Sequence, residues 1–443
     1  MKKLIIFCAL FFSATLYAQY NMSTVYSNHN DLNASRYEPS ELMLDKSVQI
    51  GMNYYLWTGN TLLNYALIKS ISKTGQLNQE FIQKIAEADG GNALFGVGQD
   101  WQIGGIAFQL KKKYDFSISV VDKFGMNFRL SNNLLKLAMQ GNKQFAGQKV
   151  SLSPTSLNVN YCREYVVGTA LPIIGDPKDN EGSFALRGGL RAKYIQGIAA
   201  IFMPESNVEM ETEINGKYIK MNFDYNIQTS GIDSTFSLGN FNGSGFGVDF
   251  GATAYIGDKL EVNISVLDLG SVSFTNNTKT YAKKANILYE GLVISQLFGD
   301  QRLKDSLTYI FKPNETTGEK FSMPLGGKII LQAELKTPRT NKDGETFDSN
   351  GLFFTYIQGL NNMPGTTTRP YVAVAYNHDF GKRFDLGLSL GYGGYNNLTG
   401  GIFTSINIAN TCKIGFGADN LIPLVISSLG TGIDLSANFS LSF

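Results

Sequence analysis

The chain has 443 residues, with 38 Lys and Arg against 37 Asp and Glu and a net charge of +1 at pH 7. No basic excess exists to neutralise phosphates, which argues against nucleic acid as a partner. The residues are 43% hydrophobic and 17% charged, with 47 glycines and a 12% aromatic share. No apolar run after the N-terminus reaches the roughly 18 residues of a membrane helix. A barrel wall gives this profile, because one half of each strand is greasy and the other half is small, polar or Gly.

Lys2 and Lys3 precede an apolar stretch from Leu4 to Leu16, and Tyr17-Ala18 stands before Gln19. This reads as an export signal over residues 1–18. Cys8 lacks the small residues expected before a lipidated cysteine. Residues 19–46 are rich in Asn and Ser with few apolar side chains. They form an N-terminal segment that either fills the barrel as a plug or hangs at its periplasmic end. Residues 47–443 read as one outer-membrane β-barrel.

Within that domain the hairpins are legible one by one. Ile106, Phe108 and Leu110, then Phe116, Ile118 and Val120, flank a tight Lys-Lys-Lys-Tyr turn. Phe246, Val248 and Phe250 alternate with Gly245, Gly247 and Asp249, and after Gly257-Asp258 the return strand carries Leu260, Val262, Ile264 and Val266. Val372, Val374, Tyr376, His378 and Phe380 lead through Gly381-Lys382 to Phe384, Leu386, Leu388 and Leu390. Ile402, Ile406, Ile408, Ile414 and Phe416 continue the series. Period-two alternation with short turns predicts antiparallel up-and-down pairing. Three stretches show helical spacing instead: Gln76–Ala88, Leu130–Gln140 and Ser295–Phe311. They are predicted as short amphipathic helices in loops. Segments 131–150, 277–325 and 338–350 are long and polar, whereas the turns near 112, 257 and 381 are tight. Long loops on one side and short turns on the other fit an outer-membrane barrel. The fold class is therefore all-β, a transmembrane antiparallel barrel of about 14 strands.

The chain ends on Ile433, Leu435, Ala437, Phe439, Leu441 and Phe443, with Asp434, Ser436, Asn438, Ser440 and Ser442 on the opposite face. That is one greasy and one polar side, at about the 9–11 residues of a tilted membrane strand. The terminal Phe443 resembles the signal that barrel-assembly machinery recognises, which makes that machinery and outer-membrane lipid expected partners.

Motifs for catalysis are sparse. The two histidines are His29, in the Asn-rich leader, and His378, in parity with lipid-facing residues. Neither supports a Ser-His-Asp arrangement, and no HExxH, P-loop or Cys-His metal spacing occurs. Cys162 and Cys412 are too few for a disulfide framework or a multi-Cys zinc site. No enzyme, cofactor or metal is expected. The informative signal is charge parity: Arg187, Arg191 and Lys193 share one face, and Glu209, Glu211 and Glu213 share another. A Lys or Arg at the midplane facing lipid costs about 2–4 kcal/mol. These six residues are therefore expected to face the lumen or lie outside the membrane. They would brace the wall as a neutralising ladder or line a path for a solute.

The segments Arg187-Gly-Gly-Leu-Arg-Ala-Lys, Gly243-Ser-Gly-Phe-Gly-Val-Asp-Phe-Gly-Ala and Ser265-Val-Leu-Asp-Leu-Gly-Ser resemble a family of outer-membrane barrels of unknown function from Bacteroidota. That family is distantly similar to the long-chain fatty-acid transporter barrels. The resemblance implies an outer-membrane protein of a Gram-negative bacterium, a channel or transporter for small apolar or amphiphilic molecules. The alternative is a non-transporting barrel that serves a secretion, gliding or surface complex through a protein partner. The Asn-Pro-Ala-like element usual near the family's mature N-terminus is replaced here by Asn33-Ala-Ser-Arg-Tyr-Glu-Pro39.

Overall fold

The computed structural model describes residues 21–27, 31–66, 69, 73, 91–178, 184–204, 206–232, 237–290, 312–340, 346–381, 383–409, 411–429 and 431–443. Twenty strands lie among them: β1 Val48–Asn60, β2 Asn92–Leu110, β3 Tyr114–Ser131, β4 Gln148–Ser151, β5 Ser156–Ile174, β6 Phe184–Phe202, β7 Asn207–Thr212, β8 Ile219–Ser230, β9 Gly243–Ile256, β10 Leu260–Phe274, β11 Thr278–Tyr289, β12 Asn314–Thr317, β13 Phe321–Pro324, β14 Lys328–Thr340, β15 Thr346–Gly359, β16 Tyr371–Asp379, β17 Phe384–Gly393, β18 Asn396–Ile408, β19 Cys412–Ala418 and β20 Asp434–Ser442. Fourteen of them pair antiparallel in a closed ring, in the order β1, β2, β3, β5, β6, β9, β10, β14 through β20 and back to β1. Closure leaves the ring itself without a free edge. It is completed by the chain end, where Phe443 N–H donates to the Val48 carbonyl at 2.8 Å and Val48 N–H donates back at 3.2 Å.

Alternation sorts the wall as its chemistry requires. Ile118, Leu190, Phe250, Ile264, Val374 and Leu388 stand exposed on the outside. On β20, Leu435 is exposed whereas Asp434, Ser436, Asn438 and Ser440 are buried inside. Ile433 departs from this pattern. It precedes the strand and is buried, so alternation holds only where the ladder holds. His378 lies near the short-turn end, its ring edge-on to Phe380 at 4.5 Å.

The described strand ends of the pairs β2/β3, β5/β6, β9/β10, β14/β15, β16/β17 and β18/β19 gather at the end that holds both Val48 and Ser442. Between β2 and β3 the connection has three residues, 111–113, and Lys111 and Lys112 in it have φ of 53° and 59°, the mirror-image geometry that matches strand twist. The other end joins β1 to β2, β3 to β5, β6 to β9, β10 to β14, β15 to β16, β17 to β18 and β19 to β20. Segment 338–350 is not a long loop: β14 and β15 pair as far as Thr340 and Thr346. A strand that has left the apolar belt is hydrated on both faces, so polarity does not end it. Helix α1 covers Met22–Ser27, α2 Asn132–Gln140 and α3 Ile422–Val425. The helix expected at 130–140 is α2, and those expected at 76–88 and 295–311, the export signal and His29 lie outside the described residues. At the long-loop end β4, β7, β8, β11 and β12 pair in sequence into a small sheet beyond the wall.

Residues 21–27 and 31–44 lie buried inside the ring. Tyr26 of α1 packs its ring on Phe353 at 4.9 Å and Phe403 at 5.4 Å. Its hydroxyl meets Thr355 Oγ1 at 2.9 Å. On the opposite wall Pro39-Ser40 rests on Gly189 of β6 and Gly251 of β9, which face each other in the ladder. A Cβ at Gly189 would come within 2.2 Å of the Pro39 carbonyl group, so only glycine admits the main chain there.

Gly189→Ala should therefore unseat residues 39–40 and lower stability by about 1–3 kcal/mol. The readout is the urea midpoint of heat-modifiable gel migration. Gly104→Ala is the control, since a Cβ there meets nothing within 4 Å. Equal midpoints for the two variants would mean that the segment does not rest on this wall.

Candidate functional site

Arg187, Arg191 and Lys193 project from β6 into the lumen and are all buried. Each finds an acid there. Arg187 pairs with Asp115, Arg191 with Asp249 at 3.3 Å, and Lys193 with Asp249 at 2.7 Å and with Asp268. The network continues across the wall. Lys123 reaches Asp268 and Glu164, each at 3.1 Å, and Lys328 lies 3.7 Å from Asp268. Buried ions are costly unless each is matched, and this one is a mesh of shared partners rather than isolated pairs.

Arg191 and Arg187, together with Lys413 and Lys178, also hold the inner segment by its main chain. Arg191 Nη1 donates to the Arg36 carbonyl at 2.8 Å and Arg187 Nη2 to the Leu42 carbonyl at 2.7 Å. Lys413 Nζ donates to the Ser27 carbonyl at 2.7 Å, and Lys178 Nζ to that of Leu44. Charge-assisted bonds to carbonyls are strong and independent of the side chain at the acceptor. From the segment, Arg36 answers with Asp100 at 3.6 Å, and Asp31 accepts from Ser440 Oγ at 3.0 Å.

The glutamates lie elsewhere. Glu209, Glu211 and Glu213 belong to β7 and the turn after it, which pair with β4 and β8 in the outer sheet rather than with a barrel strand. They do not meet Arg187, Arg191 or Lys193. Glu209 bonds Lys149 at 2.8 Å, which holds its carboxyl below the usual range. Glu213 is lowered first by the Lys217 N–H and then by Asn215, both across its turn. The alternation in β7 has its own cause: Met210 packs with Phe145 and Leu152 in a small core beside α2. The chain left the membrane wall at Phe202, and in water these charges cost little.

Asp268 was hidden from sequence reasoning by a bulge. Val266 pairs with Phe250, but the next partner of Val248 is Leu269, so β10 carries one extra residue. Asp268 has φ of 58° there, and its carboxylate turns inward instead of toward lipid. A carboxylate in lipid-facing parity within an apolar strand was the available signal.

Cavities open at both ends and in the middle of the lumen among the described residues. An outer cleft of about 420 Å³ is lined by Thr61, Asn92, Arg129, Asn362, Thr367, Thr368, Arg369 and Asn397 with Leu94. A small central chamber of about 50 Å³ brings together Tyr37, Tyr55, Trp57, Asp100, Lys123, Cys162, Glu164 and Asp268. A vestibule of about 590 Å³ at the short-turn end includes Asp31, Lys46, Glu334, Lys336, Asp385 and Lys413. Among the described residues no group of three or more His, Cys, Asp or Glu could hold a metal ion.

The chain belongs to a family of unknown function, DUF5723, which matches residues 45–419. No curated protein matches it. Among solved structures it is similar to the toluene transporter TodX of Pseudomonas putida, at 8% identity and a TM-score of 0.45 over 94% of this chain and 95% of that one. It is also similar to the Ralstonia pickettii toluene transporter TbuX, at 6% identity and 0.43 over 93% of each chain. A Pseudomonas aeruginosa FadL homologue aligns at 10% identity and 0.42 over 96% and 98%.

Asp268→Asn would leave Lys123, Lys193 and Lys328 short of their shared acid. The expected loss is about 3–5 kcal/mol of stability, as for one broken partner of a buried ion pair. Glu209→Gln should leave the urea midpoint unchanged. A neutral Asp268→Asn would contradict the account of the network.

Proposed function

We propose that this protein is a non-enzymatic outer-membrane channel for small amphiphilic or apolar molecules, built on a lumen that two internal barriers keep closed at rest. The observation that carries the reading is the pair of open cavities, the outer cleft and the vestibule, at opposite ends of one lumen. A barrel whose side chains merely filled it would have neither. The cleft offers guanidinium, amide and hydroxyl groups beside Leu94, which suits a molecule with a polar end better than a plain hydrocarbon. Lipid would contact the exposed apolar belt, and the barrel-assembly machinery would read the C-terminal strand with Phe443.

A second reading draws on the outer sheet. β4, β7, β8, β11 and β12 stand beyond the barrel with a small core of their own. Such a platform suits a surface or secretion protein partner, in which case the barrel is its anchor.

Liposome flux separates the two. Purified protein should pass a small amphiphilic probe above the empty-liposome level, and Tyr37→Ala, which trims the inner segment where it bounds the central chamber, should raise that flux, with folding verified by heat-modifiable migration. No flux in either form would remove the channel reading and leave the interaction barrel.

A further inference from the structure

Residues 360–370 join β15 to β16 at the long-loop end. These are the ninth and tenth staves of the ring. The connection nonetheless touches the third and fourth, across the lumen. Asn127 Nδ2 of β3 donates to the Thr366 carbonyl at 3.2 Å, and Asn158 Nδ2 of β5 donates to the Asn362 carbonyl at 3.2 Å. Pro364 lies against Gly125 of β3, where a Cβ would come within 2.6 Å of the proline Cβ. Tyr395 supports the crossing from β18's end, its hydroxyl donating to the Thr366 carbonyl at 2.7 Å. Thr366 and Thr367 are fully buried.

Asn362 and Thr367 line the outer cleft, whereas Pro364 and Gly365 line the central chamber. One connection is thus the floor of the cleft and the roof of the chamber. From below the chamber is bounded by Asn21 and Tyr37 of the inner segment.

We infer that residues 360–370 are the outer gate of the lumen, a lid that seals the chamber against the far wall while the inner segment seals it from below. A passing molecule would be held between the two. The ends of the lid are fixed by the β15–β16 ladder. Its far contact consists of side-chain bonds to main-chain carbonyls, one proline on a glycine and Met363 packed on the apolar cluster that holds Cys162 and Ile195, a contact that can part without breaking the wall. The inference deepens the channel reading and rests on it for its purpose, but the barrier can be read without any transported solute.

Cys162 supplies the probe, because it is buried and lines the chamber from β5. In a Cys8→Ser/Cys412→Ser background, a membrane-impermeant methanethiosulfonate added to intact cells reaches Cys162 only past the lid. Asn127→Ala/Asn158→Ala should speed that labelling about tenfold, the population shift expected from two lost hydrogen bonds. Asn133→Ala, whose bond to Ser151 lies in the outer loops, should label as the parent does. Asn158→Ala alone serves if the double variant folds poorly, with rates normalised to the heat-modifiable fraction. Equal rates in parent and lid variants, fast or slow, would overturn the gate. A failed channel reading would instead show as absent flux while labelling still responds.

Discussion

Closing fourteen strands into a ring forces the inner face of every strand to be satisfied from within. Lipid takes the outer face on hydrophobic terms alone, but the lumen is out of reach of lipid and largely filled by protein. Buried side chains such as Arg187, Lys193, Asp249 and Asp115 persist there because each has an opposite charge within bonding distance. Arg191 and Arg187 also bond the carbonyls of residues 36 and 42, and Lys413 and Lys178 those of 27 and 44. The barrel and its inner segment are therefore one electrostatic structure. Removing either leaves the other with unmatched groups.

What was legible in the sequence was what lipid enforces. Phe250, Ile264, Leu388 and Leu435 alternate because a membrane tolerates nothing else on that face, so strand number and pairing sense could be read directly. The lumen has no such external enforcer. Its partners are chosen by register between distant strands, so Arg187 and Asp115 are 72 residues apart in sequence. One bulge at Asp268 moves a carboxylate from one face to the other. The β7 glutamates take the second of the two places open to them, outside the membrane, and so form no ladder with Arg187, Arg191 and Lys193. Alternation reports only that one face is covered, and in β7 the cover is Phe145 and Leu152 rather than lipid.

The connection over 360–370 was the least legible part. Asn361, Asn362 and Thr366–Thr368 have the composition of an exposed loop, and the bonds that draw it inward come from Asn127, Asn158 and Tyr395 in remote strands. Glycine at 125 gave no distinct signal, because the wall is glycine-rich throughout. Polar segments that fold inward are chosen by the receptors waiting for their carbonyls, not by their own hydropathy.

The unity of wall and inner segment is tested most directly by hydrogen exchange on the protein in lipid nanodiscs, followed peptide by peptide. Residues 31–44 hold bonds such as Ser35 N–H to Asp31 and Glu38 N–H to Ala34 inside the ring. Their amides should exchange on the slow timescale of β1 and β20. Exchange of 31–44 within seconds, with β1 and β20 still protected, would show that the barrel stands without its inner segment and would contradict the account.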